Sequence, residues 1–308
     1  MSQEAVAFVF PGQGSQFVGM GRELETFPEA RQVFAQADDV LGFALSRLFL
    51  EGLEADLNDT VNTQPAIVTH SIAALRVIES RTDLKGQLKM VAGHSLGEFS
   101  ALVCAGTLSF PDALRLVRER GRLMKVAGEQ HPGRMAAVLN LDRAKLEKAC
   151  AEASRETDQP VQIANDNCPG QMVISGDRVA LEKAMELAKV YGAKRCIPLA
   201  VSIAAHSPLM AGAAQEFRAA LQSVSWAEPR VPVIANTTAR PSGRGDAIDS
   251  LVAQLTSPVR WTESIQFMIG KGIARFVEVG PKDVLCGLIK RIDAAIATQT
   301  VDSVIGDH

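Results

Sequence analysis

LKMVAGHSLGEFSALVCAG, residues 88–106, decides how this chain folds. LKMVA (88–92) reads as a short apolar strand and EFSALVCAG as a helix, so GHSLG (93–97) is a strand–turn–helix junction. A serine in such a junction is the arrangement of a nucleophile elbow. The flanking glycines permit the tight turn and leave the Ser95 hydroxyl exposed. The turn also aims the first helical amides, including that of Leu96, at the nucleophile, where they can stabilise an oxyanion. The bare GxSxG pattern is weak, since it arises by chance in roughly one chain in ten of this length. Its bland alternative is a glycine-flanked turn with Ser95 as a helix cap, and the strand and helix on either side favour the elbow.

Outward from the junction, AVAFVF (5–10) is an all-apolar run ending at Pro11-Gly12, as expected of a parallel strand buried on both faces. QPAIVTHSIAALRVIES (64–80) has apolar positions at helical spacing. VPVIANTT (231–238) and ARFVEVGP (274–281) read as strands, the second followed by the helix KDVLCGLIKRI. These are the parts of an α/β domain with a mostly parallel sheet. The middle of the chain differs. RMAAVLN (134–140), helix RAKLEKACAEAS, strands VQIAND and QMVISGD, helix RVALEKAMELAKVYG and strand AKRCIPLAV follow in turn. That order, β-α-β-β-α-β, is the ferredoxin-like pattern. The expected organisation is a large domain from residues 1–130 and 201–308, with a small ferredoxin-like domain, 131–200, inserted in it. The groove between two such domains is a favoured ligand site. RPSGRGDA (240–247) reads as a surface loop.

With 308 residues, 47 % hydrophobic and 22 % charged, the composition is that of an ordinary globular protein. A formal net charge of −3 argues against a general nucleic-acid binder. No apolar run reaches the roughly 20 residues that span a bilayer, so no membrane partner is expected. MSQEAVAFVF lacks a basic flank and enters a strand, so no signal or transit peptide is expected. Five scattered cysteines without CxxC spacing suit reduced thiols in a cytoplasm and no zinc site.

A nucleophilic serine needs a base, and five histidines are available. His308 is terminal and His131 sits in an apparent inter-domain loop. His70 lies among apolar helical neighbours, and His94 adjoins Ser95 at a turn where successive side chains point apart. His206 stands just before Ser207-Pro208, a cap-plus-first-turn signature, at a strand-to-helix junction where α/β folds assemble their sites. It is the best base of the five; its bland alternative is a loop histidine next to a helix cap.

Ser109, Pro111 and Asp112 mark the start of another helix. On it Arg115, Arg118 and Arg122 share a face that reads as solvated. Arg120 instead projects from the apolar stripe of Leu116, Val117, Leu123 and Met124. A guanidinium facing the core is costly unless it meets a carboxylate. Either Arg120 pairs with an internal Asp or Glu, or it holds a substrate carboxylate. Gly121 beside it would allow close packing.

FPGQGSQ (10–16), NTQPA (62–66), GHSLGE (93–98), Arg120-Gly121, NDNCPGQMVISG (165–176), the His206 segment and QLTSPVRWTESI (254–265) occur in one order. In these landmarks the chain resembles the malonyl-coenzyme A:acyl carrier protein transacylases, and also the acyltransferase domains of polyketide synthases. The resemblance implies a large α/β-hydrolase-like domain plus a ferredoxin-like one. It implies that Ser95 is acylated, that His206 is its base, and that the backbone carbonyl of Gln254 orients the histidine. It places the oxyanion hole at the amides of Gln13 and Leu96, and the substrate carboxylate on Arg120. Gln64, Asn165 and Asn167 match positions lining the acyl pocket. Ala205, where relatives often carry Phe or Ser, leaves room for an α-methyl branch, whereas Leu96 stands where methylmalonyl-selective relatives tend to carry Gln. The implied partners are malonyl-coenzyme A and acyl carrier protein, with no metal or bound cofactor; the lack of an obvious dimer motif favours a monomer as the expected state. Lys194, Arg195, Lys271 and Arg275 are candidates for a basic rim facing the acidic carrier. A hydrolase sharing this fold would lack the arginine, and a transacylase feeding malonate decarboxylase would differ only in its acceptor.

Overall fold

A computed structural model describes residues 5–201 and 203–306, so His308 and the first four residues of the N-terminal reading lie outside the described residues. Among the described residues ten strands form two sheets: β1 (Val6–Phe10), β2 (Leu88–Gly93), β3 (Gly133–Leu139), β4 (Val161–Cys168), β5 (Gln171–Asp177), β6 (Arg195–Pro198), β7 (Val233–Ile234), β8 (Pro241–Ser242), β9 (Arg275–Glu278) and β10 (Ala297–Thr300). The larger sheet has the order β10-β9-β1-β2-β7-β8, and every pairing is parallel except β7 with β8.

The apolar run of β1 is explained by what covers it. Val6, Phe8 and Phe10 join the core built with helices Thr60–Arg81, Gly97–Ala105 and Phe110–Gln130. Ala7 and Val9, pointing the other way, join Trp261, Ile265, Leu285 and Ile289 from helices Trp261–Gly270 and Val284–Ile292. A strand covered on both faces has no polar side to show, which removes the period-2 alternation.

The smaller sheet has the order β4-β5-β3-β6, antiparallel throughout. Here the alternation survives. Ala136, Val138, Ile163 and Ile174 face helices Arg143–Thr157 and Arg178–Val190. Met135, Ala164 and Val173 face the opposite way, toward Leu199 and Ala205. Val259 ties this sheet to the larger unit: its amide donates to Ala164 C=O at 2.8 Å, and its carbonyl accepts from Asp166 N–H at 2.9 Å.

Three local expectations are corrected. RPSGRGDA is not a loop: Pro241–Ser242 pairs with β7, and helix Arg244–Gln254 starts inside it, with Gly243 at its N-cap and Asp246 in its first turn. The strand expected over 231–238 is reduced to Val233–Ile234, because Asn236 turns away to bind the elbow. The strand expected over 193–201 is only Arg195–Pro198. Among the described residues, no helix is long and apolar enough to cross a membrane.

Candidate active site

Parallel pairing sets Phe10 opposite Gly93, so the segments leaving β1 and β2 emerge side by side at the carboxyl end of the sheet. They bring Gln13 and Ser95 to the mouth of one cavity of about 870 Å³, which Arg120, Asn165, Asn167, Ala205 and His206 also line.

Ser95 sits at the tip of the elbow with φ +50°. A left-handed conformation costs a residue bearing Cβ about 1–2 kcal/mol. Asn236 holds it there, accepting from Ser95 N–H at 2.7 Å and donating from Nδ2 to Gly93 C=O at 2.6 Å. The elbow closes tightly against β1: a Cβ on Gly97 would stand 2.0 Å from the Phe10 carbonyl oxygen. With the Ser95 amide engaged by Asn236, the amides left without a protein acceptor among the described residues include those of Leu96 and Gln13.

His206, also left-handed at φ +58°, places Nε2 2.8 Å from Ser95 Oγ. Its Nδ1 is 2.7 Å from the backbone carbonyl of Gln254. A carbonyl can only accept, so Nδ1 carries the proton and Nε2 offers its lone pair to the serine hydroxyl. Burial first, then the charge of Arg120, pushes His206 down to about 3. At neutral pH it is therefore unprotonated, the state a base requires. Gln162 of β4 donates to the His206 and Thr256 carbonyls at 2.8 and 2.9 Å, bracing this segment from the small sheet.

Arg120 is 2 % exposed. Its Nη1 donates to Gln64 Oε1 at 3.0 Å, and its Nη2 donates to Ser95 Oγ at 3.2 Å and Gln254 Oε1 at 3.0 Å. Every one of these partners is neutral, and Nε has none among the described residues. Of the two readings left open for this arginine, direct pairing with an internal carboxylate is not the one adopted. Burial pushes its pKa down to about 10, leaving the guanidinium charged at neutral pH. Gly121 lets its helix approach helix 60–81, since a Cβ there would meet the Thr60 carbonyl oxygen at 2.7 Å. Gln64 thereby reaches Arg120, and a chain of bonds continues from Gln64 Nε2 to Thr60 Oγ1 and on to Gln13 Oε1.

Four contributors carried no role in the sequence reading. Glu98, 2 % exposed, accepts at Oε2 from Asn236 N–H at 3.1 Å and Gln254 Nε2 at 2.8 Å. Burial pushes it up to about 7. His94 bonds Asn167 Oδ1 at 2.8 Å and packs edge-on against Trp261. Gln162 and Asn236 complete the set. Only Glu98 carried a local signal: it follows the elbow on a wholly buried helix, where a carboxylate requires partners.

Two further expectations change. Arg118 is not simply solvated, for its guanidinium stacks on Phe43 at 4.3 Å. Lys271, the C-cap of helix Trp261–Gly270, and Arg275, the first residue of β9, stand at the amino end of the parallel strands, opposite the cavity. A lysine beyond the other end of that strand, Lys282, reaches the rim instead, donating to the Gly14 and Gln16 carbonyls at 3.2 and 3.3 Å.

The chain matches the acyl transferase domain family over residues 7–305. It is 46 % identical to the malonyl CoA-acyl carrier protein transacylase of Escherichia coli K12 over 288 residues, covering 93 % of this chain and 92 % of that protein. It superposes on the solved structure of the transacylase of that name from Coxiella burnetii with a TM-score of 0.95 and 38 % identity, over 99 % of this chain and 96 % of that one. A malonyl-transacylase in complex with its type II PKS acyl-carrier protein superposes with a TM-score of 0.93 at 40 % identity, over 99 % of this chain and 100 % of that one. With the family spanning nearly every residue and the elbow, base and arginine in one cavity, the chain belongs to the acyl transferase domain family.

Proposed function

We propose that this chain is a malonyl-coenzyme A:acyl carrier protein transacylase that moves malonyl to the phosphopantetheine thiol of the carrier through an ester on Ser95. The observation that carries this reading is Arg120: a buried guanidinium, 3.2 Å from Ser95 Oγ, with no carboxylate bound to it. Such a group favours an acyl chain that ends in a carboxylate.

His206 takes the serine proton as Oγ attacks the thioester carbonyl, and returns it to the departing coenzyme A thiolate. The Gln254 carbonyl keeps the imidazole in the required tautomer. The Leu96 and Gln13 amides receive the developing oxyanion. Arg120, steadied by Gln64, holds the malonyl carboxylate, while Asn165 and Asn167 face the acyl and pantetheine groups. The carrier's thiol then enters by the same groove, and the steps run in reverse, a ping-pong sequence. These steps need only nucleophilic and acid–base groups, so no resident cofactor or metal is assigned.

The division into 1–130 with 201–308 and 131–200 belongs to this reading, the small unit being ferredoxin-like. Its strand order and its two helices on one face support that assignment. A monomer is taken as the functional unit. Five free thiols fit a cytoplasmic setting, with no nucleic-acid or membrane partner.

Incubation with malonyl-coenzyme A followed by intact-mass measurement tests this. The expected result is a gain of one malonyl group, absent in Ser95→Ala and lost to acyl carrier protein when that is added. Release as free malonate instead would make the chain a hydrolase, and no mass gain would refute the assignment.

A further inference from the structure

Arg120 and Glu98 are a cation and a carboxylate, both 2 % exposed, yet they do not touch. Between them lies the Gln254 side chain, with Oε1 accepting from Arg120 and Nε2 donating to Glu98. The amide cannot turn round without setting NH2 against guanidinium donors and oxygen against a carboxylate. Nε2 is further fixed by the Ser95 carbonyl at 3.1 Å. Arg120 is thus balanced at a distance, and its donors are not consumed by a direct ion pair. When a carboxylated acyl group seats on Arg120, two buried carboxylates share one guanidinium, which cannot offset both charges.

We propose that Glu98, acting through the Gln254 amide, is the resting counter-ion of Arg120, and that the substrate carboxylate takes its place while Glu98 is neutralised by a proton from solvent. Glu98 touches no substrate and is a positioning residue. The groups facing it are Asn236 beyond β7, Gln254 from helix 244–254, Arg120 from helix 110–130, and His206 one bond beyond Gln254. Of these, Arg120 is the charge coupled to it, and Glu98 already titrates at about 7 in the empty site. A second anion on Arg120 raises that value further, so malonyl binding weakens as pH rises and Glu98 resists protonation.

This inference rests on the malonyl-transfer reading, and one set of measurements separates the two. KM and kcat for malonyl-coenzyme A and acetyl-coenzyme A are recorded between about pH 6 and 9 with the full chain and with Glu98→Gln, which retains the acceptor oxygen. In the unsubstituted protein KM for malonyl climbs about tenfold across the window, one pK unit of linkage, while KM for acetyl stays flat. Glu98→Gln abolishes the malonyl climb. A climb that persists in the variant, or that acetyl shares, overturns the proposal. Should the variant fail to fold, the proton balance of the unsubstituted protein decides: in weak buffer near pH 8 both reactions free the same coenzyme A thiol with the same partial ionisation, and malonylation takes up a substantial fraction of a proton per chain more than acetylation. Equal uptake in the two reactions, or none in either, overturns the proposal alone. Failure of the unsubstituted protein to take malonyl at all overturns both readings.

Discussion

Replacing Arg120 by alanine tests the assignment of substrate most directly. In the empty site the side chain makes three hydrogen bonds, to Gln64, Ser95 and Gln254, all with neutral groups. Loss of the charged bond to a malonyl carboxylate removes about 1.5–3 kcal/mol, which at about 1.4 kcal/mol per decade is roughly tenfold to a hundredfold in kcat/KM. An acetyl group has no carboxylate, so its transfer loses only the bracing that the three resting bonds give Gln64, Ser95 and Gln254, and changes by about a few-fold. Glu98 is not left as a bare buried charge, because with its counter-ion gone it takes up a proton more readily. The assay is transfer to acyl carrier protein from malonyl- and acetyl-coenzyme A, each at several concentrations. Arg120→Lys serves as a control that keeps the charge but loses the planar fork, and it falls between the two. Equal losses on malonyl and acetyl would refute the role, since they would mean that Arg120 only braces the elbow.

Gly97→Ala forces a methyl against the Phe10 carbonyl at 2.0 Å, and backbone on both sides leaves little room to yield; a loss of about 3 kcal/mol or more is expected, and an unchanged Tm contradicts it. Ala205→Phe fills the cavity beside Met135 and Val173. Acylation by methylmalonyl-coenzyme A then falls at least about tenfold relative to malonyl, whereas an unchanged ratio means that Ala205 does not gate the α-branch. The third concerns pH: Arg120 helps to hold His206 at about 3, and a malonyl carboxylate that offsets this charge raises it. The acid limb of kcat for serine acylation therefore lies at higher pH with malonyl than with acetyl, and coincident limbs would show that the carboxylate does not reach Arg120.

Much of the site was legible because its signals are local. Strand, turn and helix around GHSLG, the capped start before Pro208, and an arginine on an apolar stripe each need only a few neighbouring residues to be read. What escaped the sequence was produced by distance. Asn236 meets Ser95 across 141 positions and Gln254 meets Arg120 across 134, through a sheet order that no single segment encodes. The RPSGRGDA stretch misled for the opposite reason, since its polar make-up hid a helix whose capping glycine and first-turn acid look like loop chemistry. Two of the basic-rim candidates, Lys271 and Arg275, failed on geometry: composition marks a charge but not which end of a parallel sheet carries it.

The energetics of the site tie its strain to its selectivity. Two left-handed side-chain-bearing residues, Ser95 and His206, and two buried ionisable groups, Arg120 and Glu98, are each unfavourable alone. They persist because shared partners hold them: Asn236 binds both the elbow and Glu98, and Gln254 binds His206 by its backbone and Arg120 by its side chain. A direct Arg–Glu ion pair would have been a simpler way to bury the two charges. It would also occupy the fork that the proposed malonyl contact needs, and on that reading Ser95 and His206 would acylate without a charge by which to distinguish malonyl from acetyl. The interposed amide keeps the arginine ordered and charged without a carboxylate partner among the described residues, which on the proposed reading leaves its charge for the acyl carboxylate.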